Sequence, residues 1–338
     1  MKARSAPRMR EVAEAAGVST ATVSRALSDP ARVSESVRSR IEVAVAKLGY
    51  TVNSAARSLR RNDTGVVLVL VPDIGNPFFS KLLKGVEQRA RELSYSVLIG
   101  DTGTDNIRLD VYMRQVAARR VDGMILLSGR VPEGVAETVP AVIVSERVAG
   151  APMPMVGIDN AAAASLAVQH LRGLGHRRIA HIAGPEGNVL TEDRVRGYCA
   201  ALGGGVTSLP RAVAHGDFSI ESGRQAACAL MQGRQRPTAM FAANDEMAMG
   251  AIIAMKALGA DVPGEVSVMG FDDIEFAAAY DPPITTIRQP RFEMGQVAMS
   301  LLGDRLRGIT LGAPPGDEGI VLPVELIVRR STAHALVE

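Results

Sequence analysis

Hydrophobic positions follow two alternating patterns along most of the chain after residue 64. Short, continuous apolar runs such as Val66–Val71 alternate with stretches of helical spacing such as 78–93. Further runs of strand length lie at 96–99, 124–127, 142–144, 178–183, 211–214, 239–242, 266–270 and 321–328. Buried strands separated by helices predict parallel sheets covered on both faces. We therefore expect an α/β body of two lobes, joined by crossovers near Asp159 and Arg288.

The first 50 residues show only helical spacing. Helices are predicted over 8–16, from the N-cap residue Ser19 to about Leu27, and from Ser34 onwards, with Gly17 in the first turn. The positions expected inside are Val12, Ala13, Ala16, Val23, either Ala26 or Leu27, Val37, Ile41, Val45 and Leu48. Two helices that cross over a tight turn predict a helix-turn-helix, whose second helix enters the major groove.

Charge separates these two parts of the chain. Residues 1–62 carry a net charge of +7, and the other residues carry −5, which together give the overall +2. A basic module joined to a mildly acidic one is typical of nucleic-acid-binding proteins, although charge alone also fits a solvated basic tail. A length of 338 residues predicts about two domains with room for a small third module.

Several classes of protein lack support in the sequence. No apolar run approaches the ~20 residues of a membrane helix, and no apolar segment follows the basic N-terminus, so we expect a cytoplasmic protein without a membrane partner. Cys199 and Cys228 do not have metal-ligand spacing, and no dinucleotide, phosphate-loop or nucleophile-elbow motif is present. We expect no cofactor, no metal and no enzymatic activity. The five histidines are expected at the surface or at helix ends.

Several motifs resemble the lactose-repressor (LacI/GalR) family of bacterial transcription regulators. They are VAEAAGVS at 12–19, TVSR at 22–25, LGY at 48–50, NSAARSL at 53–59, NPFF at 76–79, ANDEMAMG at 243–250, GFDD at 270–273 and PITTI at 283–287. The resemblance runs through the whole chain. It implies a small N-terminal all-α helix-turn-helix domain and a two-lobed, Rossmannoid effector domain similar to periplasmic sugar-binding proteins. The domains expected are a headpiece at 1–52, a hinge helix at 53–62 and an effector and dimerisation domain at 63–338. Within the last, the N-lobe is expected at 63–160 plus 290–320 and the C-lobe at 161–289 plus 321–332.

The resemblance also implies a DNA-binding surface. Thr20, Ala21 and Arg25 occupy base-reading positions, and an arginine can pair bidentately with a guanine edge. The hydroxyls of Ser19, Thr22 and Ser24 suit phosphate contacts. The hinge residues expected at DNA are Asn53, Ala56, Arg57 and Leu59, with Leu59 as a wedge in the minor groove. A palindromic operator and a homodimer follow, because one headpiece reads one half-site. No leucine heptads follow the last predicted strand, so we expect no tetramerising segment.

Polar and aromatic residues collect where the predicted parallel strands end, which is where open α/β sheets bind ligands. The candidate effector-binding residues are Asn76, Phe78, Phe79, Asp101, Ser145, Glu146, Arg147, Arg194, Phe218, Asn244, Asp272 and Gln289. This composition is typical of a sugar site. The resemblance implies ligand contacts by Phe79, Arg194, Phe218, Asn244 and Asp272. Arg194 and Asp272 are expected to clamp hydroxyls, one of the two phenylalanines to point inward, and Asp245 and Asp273 to cap structure.

One departure from the family leaves the effector open. Several sugar-binding relatives have Asp-Arg at the end of the fourth strand, where this chain has Ser145 and Glu146, with Arg147 one place later. A sugar, a nucleobase, a sugar acid and an amine-bearing compound all remain candidates. Repressor or activator, and inducer or co-repressor, are likewise open.

Two alternatives from other classes are a soluble sugar-binding transport receptor and an enzyme with Asp272 or Glu146 as general base. The missing signal peptide and the basic head count against transport. No companion acid or nucleophile accompanies either carboxylate. A neighbouring arginine is also expected to depress the carboxylate's pKa, which suits hydroxyl binding better than base catalysis.

Overall fold

The structure is a computed structural model that describes residues 7–28, 30–50, 63–103, 106–129, 131–132, 134–148, 150–203, 212–233, 236–309 and 319–336. Contacts between residues divide the chain into two compact units, Met1–Thr64 and Gly65–Glu338. Within the described ranges, no helix combines the length and the hydropathy needed to cross a bilayer.

The first unit is helical, and its helices are α1 (Met9–Ala16), α2 (Thr20–Ser28) and α3 (Glu35–Leu48). A 3₁₀ turn, Pro30–Arg32, follows α2. Gly17 ends α1 in the left-handed region (φ +64°), where a side chain would be strained. The Oγ of Ser19 accepts the backbone N–H of Thr22 (3.1 Å) and so caps α2, as its position in the sequence predicts.

A small apolar core holds these helices together. Its buried members are Val12, Ala13, Ala16, Val23, Ala26, Ile41, Ala44 and Tyr50. Ala26 is therefore the buried residue of the pair 26 and 27. Val37, Val45 and Leu48, which were expected inside, are only partly buried against this core. The short, crossed α1 and α2 confirm the predicted helix-turn-helix.

The second unit alternates strands and helices. The strands are β1 (Val66–Val71), β2 (Ser96–Asp101), β3 (Gly123–Leu126), β4 (Ala141–Val144), β5 (Met155–Gly157), β6 (Ile179–Ala183), β7 (Val213–His215), β8 (Ala239–Ala242), β9 (Ser267–Met269), β10 (Thr286–Arg288), β11 (Ile320–Val321) and β12 (Glu325–Ile327). The helices are α4 (Pro77–Glu92), α5 (Asn106–Ala117), α6 (Val135–Thr138), α7 (Asn160–Gly173), α8 (Val189–Leu202), α9 (Ile220–Met231), α10 (Asp245–Ala257), α11 (Glu275–Ala279) and α12 (Arg291–Leu306). This alternation confirms the predicted α/β class.

Parallel sheets form the centres of the two lobes. The N-lobe sheet has the strand order β11-β5-β4-β3-β1-β2, and the C-lobe sheet has the order β7-β6-β8-β9. In each sheet the first strand lies between the second and the third, so the connections leave it in opposite directions. Such a switch point opens a crevice at the carboxyl ends of the strands, where ligands bind.

The chain returns to the N-lobe after β10. Helix α12 packs on α4 so closely that a Cβ on Gly295 would lie 2.2 Å from the carbonyl oxygen of Leu82. A Cβ on Gly85 of α4 would lie 2.0 Å from the carbonyl oxygen of Phe292. These glycines allow the two backbones to touch, which fixes how α12 sits against the N-lobe.

Two predicted strands need correction, and two short strands were not predicted. The run 96–99 is the start of edge strand β2, where Leu98 and Ile99 are exposed, because nothing described pairs with its outer side. The run 321–328 is two strands, since Pro323 lacks an N–H and cannot continue a ladder. Its first part, β11, joins the N-lobe sheet, and its second part, β12, pairs antiparallel with β10. The two strands that were not predicted are β5 and β10, each three residues long.

Candidate functional site

A cavity of about 450 Å³ lies between the lobes at the carboxyl ends of their strands. From the N-lobe it is lined by the predicted residues Asn76, Phe78, Phe79, Ser145 and Glu146. From the C-lobe it is lined by the predicted residues Arg194, Phe218, Asn244 and Asp272. Residues that are more than 190 positions apart in the chain thus share one cavity.

Aromatic rings line the cavity from both lobes. Phe78 and Phe79 open α4 and pack edge to face, with ring centroids 5.1 Å apart. Both line the cavity, so the expectation that one points away is wrong. Phe218 faces them from the C-lobe, and a Cβ on Gly184 would lie 2.4 Å from its ring. Glycine at 184 is therefore what makes room for the Phe218 ring.

Backbone strain is concentrated at the cavity wall. Ser145, Phe218 and Asp272 all have positive φ angles, of 74°, 71° and 110°. Non-glycine residues rarely adopt this region, and folded proteins retain it mainly where function needs a particular side-chain direction. Each of these residues directly follows a strand or lies in the loop after one, at the end of β4, β7 or β9.

Asparagine caps begin the helices around the cavity. The Oδ1 atoms of Asn76, Asn188 and Asn244 accept the N–H groups of Phe78, Leu190 and Met247 at 2.8–2.9 Å. The carbonyl oxygen of each amide thus accepts a hydrogen bond within the helix cap, and the NH₂ group can donate to other groups. Asn244 donates to the carbonyl of Phe218 (2.9 Å) and so holds that loop. The sequence reasoning missed Asn188, although it precedes a helix after a strand exactly as Asn76 does.

Arg194 is buried, with 3% of its surface exposed. Its Nε donates to Oδ1 of Asn160 (3.0 Å), its Nη1 donates to the carbonyl of Ala243 (2.5 Å), and its guanidinium lies 4.0 Å from the ring centroid of Phe271. These contacts fix the guanidinium at the cavity wall. Burial lowers the pKa of Arg194, and nearby carboxylates, Asp272 first among them, partly offset this.

Asp272 is a buried carboxylate that lines the same cavity. Its Oδ1 accepts Nε2 of Gln289 (2.7 Å). Burial raises the pKa of Asp272 to about 6, although Arg194 and Arg291 act in the lowering direction. The expectation that a neighbouring arginine would depress this pKa is therefore wrong, because loss of hydration outweighs the attraction.

Helix α2 presents the predicted base-reading residues. Thr20, Ala21 and Arg25 are exposed on it, as is the capping residue Ser19. Thr22 and Ser24 are partly buried, and the hydroxyls of Ser19 and Thr22 bond to each other at 2.8 Å. The predicted hinge contacts Asn53, Ala56, Arg57 and Leu59 lie outside the described residues.

The chain matches two known protein families. Residues 8–53 match the family "Bacterial regulatory proteins, lacI family", and residues 168–332 match the family "Periplasmic binding protein-like domain". The chain is 41% identical over 337 residues to the HTH-type transcriptional repressor CytR of Escherichia coli (strain K12), which covers 98% of both proteins. The chain belongs to the lacI family. It is a DNA-binding transcriptional regulator.

Further lacI-family relatives extend the match. The ribose operon repressor of Escherichia coli (strain K12) is 34% identical over 90% of this chain and 94% of its own. Among solved structures, the lac repressor dimer bound to operator and the anti-inducer ONPF has a TM-score of 0.84 and 30% identity, over 97% of this chain and 99% of that chain. The transcriptional regulator CelR–cellobiose complex has a TM-score of 0.72 and 32% identity, over 96% and 99%. These relatives are regulators and repressors, so the transport-receptor and enzyme alternatives fall away.

Three predicted effector contacts of this lacI-family regulator do not line the cavity. Asp101 accepts the N–H of Gly103 (2.9 Å) and lies 3.4 Å from Arg108, so it shapes its own loop. Gln289 reaches the site only through Asp272. Arg147 points to Asp193 of α8, at 3.7 Å.

The loop after β4 instead joins the two lobes. Glu146 accepts the N–H of Gly129 within the N-lobe and, through Oε1, the Nδ2 of Asn188 in the C-lobe (3.2 Å). With the Arg147–Asp193 pair, this gives two polar contacts across the cleft at one edge of the cavity. Glu146 and Arg147, in the segment that departs from the family's Asp-Arg, thus make contacts between the lobes, whereas Ser145 lines the cavity.

Asp245 and Asp273 have the structural role that was predicted for them. Asp245 accepts the hydroxyl of Thr286 (2.7 Å) and the N–H of Ile274 (2.8 Å). Asp273 pairs with Arg288 (2.7 Å) and Arg329 (2.6 Å), which lower its pKa. Both carboxylates tie the loop after β9 to neighbouring segments.

His181, within β6, contradicts the expectation of surface or helix-end positions. His181 is fully buried between the rings of Phe241 and Tyr198, and its Nδ1 donates to the carbonyl of Phe241 (2.8 Å). Burial lowers the pKa of His181 to about 4, so the ring is neutral in the core at neutral pH. His176 is buried as well and bonds to Thr238 and Ser267. Within the described residues, no cluster of side chains could hold a metal ion.

Proposed function

We propose that this lacI-family chain is a repressor whose affinity for a palindromic operator is controlled by a small polar ligand, such as a sugar or sugar derivative. The observation that carries this proposal is the cavity between the lobes, lined from both sides by aromatic rings and polar side chains. Its volume of about 450 Å³ lies within the range of ~300–1,000 Å³ typical of small-molecule sites. Relatives named for ribose and cellobiose support a sugar-like ligand.

The ligand contacts that we propose are the cavity residues Phe78, Phe79, Arg194, Phe218 and Asp272. Flat rings cover the C–H faces of a sugar, and the buried carboxylate and guanidinium can bond its hydroxyls. Arg194 and Asp272 would then meet through the ligand, since each already has protein partners that fix its position. Asn76, Ser145, Glu146 and Asn244 complete this set.

For DNA, we propose that Thr20, Ala21 and Arg25 read bases, and that Ser19, Thr22 and Ser24 contact phosphates. We propose the domain limits 1–52 for the headpiece, 53–62 for the hinge and 63–338 for the effector domain. The contact boundary after Thr64 is consistent with them. For the hinge, we propose that Asn53, Ala56, Arg57 and Leu59 contact the operator, with Leu59 in the minor groove.

We also propose a homodimer, acting in the cytoplasm where its operator lies. A palindromic operator has two half-sites, and each headpiece reads one. Exposed apolar residues on edge strand β2 and on α10 and α11, namely Leu98, Ile99, Ile253 and Phe276, offer surface for such contact. The lac repressor, which this chain resembles, is named as a dimer on its operator.

The test is a thermal-shift screen of sugars, nucleosides and sugar acids, followed by operator binding with each ligand that stabilises the protein. A ligand at saturating concentration raises stability by mass action. We expect at least one such compound, and we expect it to change operator affinity. The Phe218→Ala variant should fold, as judged by circular dichroism, and bind this compound more weakly. Stabilising compounds that leave operator affinity unchanged would contradict ligand control.

A further inference from the structure

Acidic side chains dominate the charged groups of the cavity wall. The charged residues that line it are Asp73, Glu146, Asp217, Asp272 and one cation, Arg194. Among the described lining residues there is no lysine and no histidine. Sites built for phosphate or carboxylate groups present several cationic donors, usually arginine forks or lysine. The described wall of this cavity instead has four carboxylates and one guanidinium.

The guanidinium of Arg194 is already engaged by the protein. Its Nε and Nη1 donate to Asn160 and to the carbonyl of Ala243, and its face lies over the ring of Phe271. A bidentate fork to an anion needs two free, parallel N–H groups. Because the single N–H of Nε already donates to Asn160, the fork formed by Nε and Nη2 of Arg194 is not available to a phosphate.

Helix N-termini around the cavity could in principle attract anions. Four of the helices that begin beside the cavity have a side-chain cap. Asn76, Asn188, Ser219 and Asn244 accept N–H groups in the first turns of α4, α8, α9 and α10. Asp217 accepts the N–H of Ser219 as well (3.0 Å), which adds negative charge in front of α9. The N–H groups that these caps accept are not available to a phosphate.

We infer that the cavity selects against phosphorylated and carboxylate-bearing ligands and takes uncharged or amine-bearing ones. This rests on the proposed function and decides between ligand classes that the sequence left open. Carboxylate oxygens accept hydroxyl, amine and amide N–H groups, whereas they repel a second anion. The rings of Phe78, Phe79 and Phe218 suit an uncharged ring, and aromatic faces also attract cations.

Isothermal titration of the full chain with matched compounds tests this inference. Glucose, glucosamine, glucuronate and glucose 6-phosphate share one ring, and adenosine and adenosine 5′-monophosphate share another. In any series that binds, we expect the anionic member to bind about 100-fold more weakly than the uncharged or amine-bearing member, since like-charge contacts cost several kcal/mol. Added salt should reduce the difference in affinity between the anionic and the uncharged members, because it screens the exposed carboxylates of Asp73 and Asp217.

The Asp73→Asn/Asp217→Asn variant tests whether these two carboxylates cause the weaker binding of anionic compounds. Both carboxylates accept a backbone N–H through Oδ1, from Gly75 and Ser219, and asparagine keeps that acceptor. We expect this variant to fold and to bind the anionic member about 10-fold better relative to the uncharged one. Glu87→Gln, which removes an exposed charge ten residues into α4, should leave the ratio unchanged.

The outcomes separate the inference from the proposed function. An anionic member that binds as tightly as its uncharged parent, or more tightly, would overturn the charge selection and leave the regulator intact. Binding by none of these compounds or of the wider screen would overturn both. An Asp73→Asn/Asp217→Asn variant with an unchanged ratio would show that these carboxylates do not set the selectivity.

Discussion

At the scale of single residues, the wall of the cavity has features that are expected to cost stability. Asp272 keeps a buried carboxylate, a backbone φ of 110° and a pKa raised to about 6. Phe218 keeps a φ of 71° beside a glycine that alone can leave room for its ring. Proteins commonly lose stability at functional sites in this way. The sequence identified both residues from their place after strands but could not show the strain, which depends on the surrounding fold.

Asp272→Asn tests the cost of the buried charge. The pKa of Asp272 is higher in the folded state than in the unfolded chain, so the folded state holds the proton more tightly. The stability that this proton contributes is present below about pH 4 and is lost as the pH rises through about 6. Asparagine does not titrate and keeps an acceptor for Gln289. We expect the variant to be more stable than wild type by roughly 1–3 kcal/mol at pH 8, with little difference at pH 4.

Urea unfolding of both proteins at pH 4, 6 and 8 measures this. Burial and, to a lesser extent, the charge of Asp272 raise the pKa of Glu246 to about 7, so the pH dependence of the difference includes the coupling of Glu246 to position 272. The same stability difference at every pH would mean that Asp272 is not the titrating group.

Replacement of Arg25 tests whether this side chain contacts bases or phosphates of the operator. We expect Arg25→Ala to cost ~1–3 kcal/mol of operator affinity and to relax the preference for one base in each half-site. Arg10→Ala removes one exposed positive charge from α1 and serves as the control. Fluorescence anisotropy with operator and random duplexes gives the answer. An equal loss on both duplexes would assign Arg25 to the phosphates.

At the scale of elements, the hydrophobic pattern predicted most strands and helices because each has one dominant local cause. Continuous apolar runs became β1, β3, β4 and β8, and the capped helical stretches became α2 and α4. The wrong predictions concern segments whose structure depends on contacts with other parts of the fold. Strand β2 lies at an edge, and the pattern of one strand does not show its place in a sheet. Pro323, visible in the sequence, should have divided the run 321–328.

The loop after β4 carries the clearest difference between expected and observed contacts. If Arg147 pairs with Asp193 of α8 across the cleft, rather than with ligand, its removal should have a small effect. We expect Arg147→Ala to lose under about 1 kcal/mol of stability, since the pair is partly exposed. Ligand affinity should fall only a few-fold by calorimetry, whereas Phe218→Ala should lose far more. Equal losses would return Arg147 to the ligand contacts.

The contact of α4 with α12 is expected to tolerate no extra atoms. A Cβ at Gly295 would overlap the backbone of Leu82, so Gly295→Ala should destabilise the protein by about 1–3 kcal/mol. Gly173→Ala, at the end of α7 with open space around its Cβ position, should be neutral or slightly stabilising. Thermal unfolding ranks the two variants, and equal melting temperatures would show that the helices can move apart.

At the scale of the whole molecule, the chain combines a DNA-binding unit with a two-lobed unit whose cavity is shared between the lobes. A ligand can alter operator affinity only if it binds two states of the protein with different affinity. The contacts of Glu146 with Asn188, and of Arg147 with Asp193, join the lobes beside the cavity, where such states would differ. The family and the ends of most strands could be predicted from the sequence, but these contacts between lobes depend on side-chain directions that only the folded structure defines.

The central claim is that the cavity and the operator are energetically coupled. Isothermal titration of a ligand found in the screen, into the full chain with and without saturating operator DNA, tests it most directly. We predict that operator changes ligand affinity by the same factor by which ligand changes operator affinity, because linkage is reciprocal. Identical ligand affinity in the two titrations would contradict the account and leave two independent binding modules.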